Sequence, residues 1–306
     1  MKLYDAHLHF FSRAFLAALA RQAGADGPES IGVAIQRAAT RGGFEVPHQD
    51  PIEHLARWLT ELDRHGVDRA VAIASLPEEA EAVHAACSDA VDRLIPAVVV
   101  NPVAPDGPGF AKKALGEMGF RALLLFPALH HFELVGESCA AVLAQARTLK
   151  AAVIVQCGLL EIRVRDAFGL PRVADPRFAN PLDLIAAANR FPEIPFVIPH
   201  FGAGFFRETL IAARQCRNIH VDTSGSNGWI DVYPGELTLK RVFQQALGVL
   251  GPERILFGTD STTFPRGWRA DLYREHSALL EDLDVSIPDR DLIFGGNLAR
   301  LLSLKP

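Results

Sequence analysis

Short, almost unbroken apolar runs recur along this chain, and longer stretches with helical spacing fall between them. The runs "AVAIA", "PAVVV", "ALLLF" and "AVIV" lack polar alternation, as expected of parallel strands covered on both faces. With them, the pattern predicts strands over residues 2–7, 67–75, 94–100, 120–126, 152–157, 196–200, 219–223 and 254–259. The helical stretches carry their own boundary signals. In "DPIEHLARWLTELDRHG", Asp50 is an N-cap, Pro51 takes the first helical position and Glu53 completes a capping box. Ile52, Leu55, Leu59 and Leu62 then form the buried stripe and Gly66 stops the helix. "NPLDLIAAANRF" opens in the same way on Asn180 and Pro181, and another stripe runs through Leu239, Val242, Phe243, Ala246 and Leu250.

Eight strands, each followed by a helix or a long loop, predict a (β/α)8 TIM barrel, a single α/β domain over residues 1–306. A doubly wound sheet is the alternative. No linker, internal repeat or low-complexity segment divides the chain. Residues 12–48, punctuated by Gly24, Gly27, Pro28, Gly42, Gly43 and Pro47, read as a long irregular insert after the first strand. Such an insert emerges at the C-terminal mouth of a barrel, where a lid loop is expected.

Composition narrows the partners. The 306 residues are 49% hydrophobic, enough for one large core, and the formal charge is -5 with no Lys/Arg cluster. Nucleic acid and anionic membranes are therefore not expected partners, whereas a small molecule is. The sequence is also compatible with a homo-oligomer. Cys87, Cys139, Cys157 and Cys216 are far apart with no C-x-x-C pair, which suits reduced thiols in a cytoplasmic protein. The opening "MKLYDAH" has no apolar run of signal-peptide type and no stretch reaches transmembrane length, so a soluble, intracellular protein is expected.

The chemistry-bearing residues gather at the predicted strand ends, where such barrels place their active sites. His7 and His9 share one face of the first strand, the geometry of a chelate. The sixth strand ends at His200 in "FVIPHFGAG", the seventh gives Asp222, Thr223 and Ser224, and the eighth leads to Asp260 in "FGTD". Arg266 and Trp268, in "FPRGW", follow closely; a guanidinium at the mouth suits a substrate carboxylate and an indole suits an apolar wall. Arg163 and Arg165 are further anion-binding candidates. Of the neighbours His130 and His131, at most one should face the site, and a solvated pair is the simpler reading.

"DAHLH", "IPHFGAG", "FGTD" and the closing "IFGGNLARLL", in that order over essentially the whole chain, resemble the amidohydrolase superfamily. The match is to amidohydrolase-related family 2, which includes aminocarboxymuconate-semialdehyde decarboxylase and related hydratases and lactonases. The resemblance implies that His7, His9 and Asp260 hold one divalent metal, usually zinc. It further implies that Asp260 can accept a proton from water and that His200 is a general acid/base. Independently, imidazole nitrogen with carboxylate oxygen is a donor set that suits zinc.

Two departures qualify this expectation. The fifth strand reads "AVIVQCG", so Gln156 stands where the family has a histidine ligand, and strand alternation turns Cys157 to the opposite face. The fourth strand lacks the lysine of two-metal members, so a second metal is not expected. The function expected is a metal-dependent hydrolase acting on a small carboxylate-bearing molecule. Metal-activated water attacks a carbonyl, Asp260 takes its proton and His200 stabilises the oxyanion, with Arg266, Gln156 and Trp268 as substrate contacts. A decarboxylase of the same fold, a metal-free lactonase and a non-catalytic metabolite-binding barrel are the alternatives.

Overall fold

The computed structural model describes residues 2–225 and 228–304. Its centre is one parallel sheet in the order β1 to β8: Tyr4–His9, Arg69–Ala74, Leu94–Val100, Ala122–Leu125, Ala152–Val155, Phe196–Ile198, Ile219–Asp222 and Ile255–Leu256. All eight predicted strands are present. The sheet closes on itself, because Ala6 N–H donates to Phe257 O (2.9 Å) and Asp260 N–H donates to His7 O (2.8 Å). The chain is thus a TIM barrel in which sequential strands are neighbours throughout.

Alternation fills the interior. Val71 and Ile73 on β2, Ala97 and Val99 on β3, Ala122 and Leu124 on β4, and Ala152 and Ile154 on β5 belong to one buried inner cluster. Their neighbours in sequence pack outward against the helices in another cluster. These are the layers that make such a barrel a solid core rather than a pore. One step further along the same inner faces come Ser75, Phe126 and Gln156, all on the wall of the cavity at the C-terminal mouth.

Strand β1 breaks this rhythm. Its register against β2 pairs Asp5 with Ala70 and Leu8 with Ala72, so β1 spends one extra residue between them. Tyr4 and Ala6 lie in the inner cluster, but Leu8 and Phe10 lie in the outer one. Unbroken alternation would have sent the two histidines outward. The irregularity reverses the phase, as bulges beside active sites do, and puts His7 and His9 in the mouth.

Residues 12–48 are not a long irregular loop. They form helices α1 (Arg13–Gln22) and α2 (Gly27–Gly42), and Gly24, Gly27, Pro28, Gly42 and Gly43 sit at or between the helix ends. The Ser12 hydroxyl caps α1 by accepting from Phe15 N–H, while Gly43 closes α2 in the left-handed region at φ 65°. Phe15, Leu16, Leu19 and Ile35 pack with Phe11 and Val164 in a separate cluster over the mouth. Apolar residues at helical spacing inside the segment outweigh its punctuation, and the result is a helical roof.

Helix α3 (Pro51–Arg64) starts as expected, with Asp50 accepting from Ile52 N–H at 2.9 Å. The capping box does not form; the Asp50 N–H donates to His48 Nδ1 at 3.1 Å. The buried stripe is His54, Leu55, Trp58 and Leu62, with Ile52 38% exposed. The helix is rotated so that Trp58 packs against Phe264, with ring centroids 4.7 Å apart. The largest side chain thereby takes a fully buried position. All four cysteines are buried and free, and no described helix is long and apolar enough to cross a membrane.

Candidate active site

The mouth of the barrel opens into a cavity of about 340 Å³ walled by His7, His9, His200, Asp260, Gln156 and Arg266 on its polar side. Phe11, Phe15, Phe44 and Phe126 are among its apolar walls; Phe11 and Phe15 are stacked at 4.2 Å. Residues from six strand ends thus share one space.

Three side chains converge. His7 Nε2 and His9 Nε2 are 3.4 Å apart, and Asp260 Oδ1 lies 3.9 Å from the first and 3.3 Å from the second. One donor atom from each of His7, His9 and Asp260 lies within 4.8 Å of the other two. The opposite ring nitrogens are engaged: His7 Nδ1 lies 2.9 Å from Asp222 Oδ2 and His9 Nδ1 lies 2.7 Å from Ser75 Oγ. With a proton at Nδ1 donated to these oxygens, both Nε2 atoms present lone pairs to the same point. This is how histidine ligands are oriented by their outer partners.

The electrostatics agree. Burial works against charge on His7, but the carboxylates of Asp222 and Asp260 outweigh it and carry the imidazole up to about 9. Burial would raise Asp260, yet its hydrogen bond to His9 and the nearby imidazoles hold the carboxyl far below the usual carboxylate range. Burial pushes His9 down, and burial together with the charge of His7 does the same to His200. The negative field that favours an imidazolium at His7 equally favours a cation between the three donors.

His200 sits beside this cluster, its ring centroid 5.1 Å from that of His7. Its backbone is left-handed at φ 56°, as are Phe201, Asp260 and Phe11 at φ 52°, 53° and 44°. Such positions each cost roughly 1–3 kcal/mol outside glycine, and here they gather around one cavity. Local bonds hold them: His200 N–H donates to Asp222 Oδ1 (3.1 Å) and Asp260 N–H to His7 O (2.8 Å).

Gln156 reaches the cavity with its amide nitrogen donating to Cys157 O (3.3 Å) and Leu159 O (3.4 Å), and its amide oxygen accepts no hydrogen bond among the described residues. Cys157 packs in the outer layer as strand alternation requires. Arg266 also lines the cavity; its Nη2 donates to Thr262 Oγ1 at 2.8 Å, and it makes no ion pair among the described residues. Arg163 and Arg165 line the same wall, and Arg165 donates to Gln22 Oε1.

Trp268 does not wall the site. After Arg266 the chain turns at Gly267, φ 65°, and Trp268 is buried on the outside of the strands against Phe257 and Tyr273. Its indole N–H donates to Asp5 Oδ2 at 2.8 Å. Neither His130 nor His131 lines the cavity; His131 bonds Val173 O at 2.7 Å and stacks on Phe178, whereas the preceding Leu129 does face the site.

Other residues at the site have no specific role in the sequence pattern, although Asp222 is among its strand-end residues. Asp222, 1% exposed, bonds His7 and His200 at once. Ser75 orients His9, and only its place two residues after Ile73 on an inward face signals it. Glu79, fully buried, accepts from Ser12 N–H (2.5 Å) and Ser75 N–H (2.7 Å). It ties the ends of β1 and β2 together, and burial pushes its carboxyl up to about 7.

A family model described as "Amidohydrolase" matches residues 4–304. Among solved structures, the chain is similar to 5-carboxyvanillate decarboxylase from Novosphingobium aromaticivorans, complexed with manganese and 4-hydroxy-3-methoxy-5-nitrobenzoic acid. The two share 15% identity over 99% of this chain and 96% of that one, with a TM-score of 0.65. It is similar also to a probable 2-pyrone-4,6-dicarboxylic acid hydrolase from Acinetobacter baumannii with citric acid bound (14%, 99% and 100%, TM-score 0.62). A third similar structure is an amidohydrolase from Burkholderia multivorans with bound zinc (17%, 100% and 100%, TM-score 0.63). No curated protein matches the sequence.

Proposed function

The chain belongs to the amidohydrolase family, and from that premise we propose that it is a metal-dependent hydrolase of a small, carboxylate-bearing organic molecule. The observation that carries the proposal is the convergence of His7, His9 and Asp260 within 4.8 Å beside His200 in one cavity. Two imidazole nitrogens and a carboxylate oxygen, with the ring tautomers set from behind, fit one divalent cation, and zinc best among the common ones. When bound there, such an ion supplies a Lewis acid that polarises a carbonyl and makes water a nucleophile near neutral pH.

The remaining work falls to side chains. Asp260 and His200 handle protons at the reacting centre. Arg266 offers a substrate carboxylate a guanidinium that makes no ion pair among the described residues, the bidentate pairing for which arginine is suited. The Gln156 amide oxygen accepts a hydrogen bond from the substrate, and the phenylalanine wall takes its apolar body. That wall also favours a second reading, decarboxylation, because a carboxylate held against apolar surface is destabilised relative to its uncharged product.

The test is turnover on a panel of carboxylated lactones, esters and arenes by metal-loaded and chelator-treated protein. Acid formation that stops on chelation and returns with metal supports the hydrolase; carbon dioxide release selects the lyase. Undiminished turnover after chelation would leave the metal-free lactonase, and binding without turnover the metabolite-binding barrel. In the same assay Arg266→Ala should raise KM by about 10–100-fold with kcat nearly kept, the effect of losing one charge-assisted contact made equally to substrate and transition state.

Gln156→His provides a separate check on the ligand set. Its side chain already enters the mouth, and imidazole is a far better zinc ligand than an amide oxygen. Zinc affinity, measured by competition with a chelator, is expected to rise by about tenfold or more, the scale on which even outer contacts act. An unchanged affinity in the folded variant would remove Gln156 from the ligand position.

A further inference from the structure

Behind the two histidines of the mouth runs a continuous buried hydrogen-bonded path that the sequence motifs do not assign. His200 Nδ1 lies 2.8 Å from Ser224 Oγ and 2.9 Å from Ser224 O. The Ser224 hydroxyl in turn bonds Asp222 Oδ1, whose other oxygen bonds His7 Nδ1 at 2.9 Å. Ser224 and Asp222 are 0% and 1% exposed, so water does not compete for these groups.

The donors and acceptors on this path have only one consistent arrangement. A carbonyl oxygen cannot donate, so an unprotonated Nδ1 at 2.9 Å from Ser224 O would set two lone pairs against each other. Nδ1 therefore carries the proton. The Asp222 carboxylate, which also accepts from the backbone N–H groups of His200 and Ser224, accepts the Ser224 hydroxyl proton as well. The hydroxyl oxygen is left as an acceptor for His200 Nδ1–H. In the neutral ring, which lines the cavity, Nε2 has no hydrogen bond among the described residues and is then the nitrogen with the lone pair.

We propose that Ser224 is a positioning residue that fixes His200 in its Nδ1–H form and, through Asp222, joins it to the ligand His7. The inference rests on the reading of His200 as a proton-transfer group. It sets the direction of the first transfer. An O–H bond of water or substrate breaks, an N–H bond forms at His200 Nε2, the electron pair stays on oxygen, and the same proton later returns to the leaving atom. The neutral ring has no donor at Nε2, so His200 cannot stabilise an oxyanion until it has taken up that proton. One carboxylate, Asp222, thereby orients both the ligand and the base.

The test is ¹⁵N NMR of histidine-labelled, zinc-loaded protein, with the His200 signals assigned by comparison with His200→Gln, and steady-state kinetics of Ser224→Ala and Ser224→Thr. The expected spectrum shows His200 protonated at Nδ1 and bare at Nε2. Ser224→Ala should lower kcat by about 10–100-fold with KM little changed, the usual cost of removing a partner behind a working histidine. Ser224→Thr, which keeps the hydroxyl, should restore most of it. A wild-type His200 protonated at Nε2, or full kcat in Ser224→Ala, would overturn the proposal. The spectrum needs no substrate, so it stands or falls separately from the hydrolase assignment.

Discussion

Asp260→Ala is expected to reduce turnover by about 10²–10⁴-fold, the range for a lost proton-transfer group, and to weaken metal binding in the same variant. The fold should survive. Among the described residues the Asp260 carboxylate pairs with the imidazoles at the mouth, and the residue takes no part in the inner layers that hold the barrel together. Its backbone N–H still reaches His7 O in the variant, so the closure between the first and last strands is kept. Metal content, kcat and thermal unfolding measured on one preparation check this together. Wild-type turnover in a folded Asp260→Ala protein would remove the residue from the centre, and a collapse of the melting temperature would make its role structural.

Asp5→Ala is expected to do the opposite, costing about 3–5 kcal/mol of stability, the range for stripping a buried charge from its partners. Asp5 is two residues from His7 and equally acidic in sequence, but it points away from the cavity. Fully buried, its carboxylate accepts from His7 N–H (2.9 Å), Thr259 N–H (3.0 Å), the Thr259 hydroxyl and the Trp268 indole (2.8 Å). Deleting it leaves those donors unanswered at the seam where β8 meets β1. Urea unfolding gives the size of the loss; a change below about 1 kcal/mol would show that the seam does not depend on this carboxylate.

The same group gives stability a pH dependence of definite sign. Burial pushes the Asp5 carboxyl up to about 6, against the hydrogen bonds that pull it down. The folded protein therefore keeps a proton that the unfolded chain releases near its ordinary pKa of about 3.9. Stability from this group falls as pH climbs from about 4 to 6 and is level above, a change of about 3 kcal/mol. Asp5→Asn, which cannot titrate, should flatten that part of the profile.

Much of this protein is written locally. Unbroken runs such as "ALLLF" and "AVIV" specify strands buried on both faces wherever they fall, and their number and spacing favour a barrel over a doubly wound sheet. That His7, His9, His200 and Asp260 share one cavity was legible because a barrel's strand ends share one mouth, so position along a strand already implies proximity in space. Gln156 inward and Cys157 outward follow from the same two-residue period.

What alternation alone would have placed wrongly, tertiary contacts decided. The inward phase of His7 and His9 depends on an extra residue in β1, visible only once Asp5 and Leu8 are paired with Ala70 and Ala72. Residues 12–48 look like a loop because their glycines and prolines mark helix ends as readily as turns, and burial of Phe15, Leu19 and Ile35 over the mouth settles them as helices. Trp268 shares a short motif with Arg266, yet one left-handed glycine sends the two to opposite sides of the wall. The bonds from Ser224 through Asp222 to His7 span 217 residues of sequence. Period and capping are set by neighbours along the chain, whereas the partner of a buried polar group is set by whichever strand the closed barrel brings beside it.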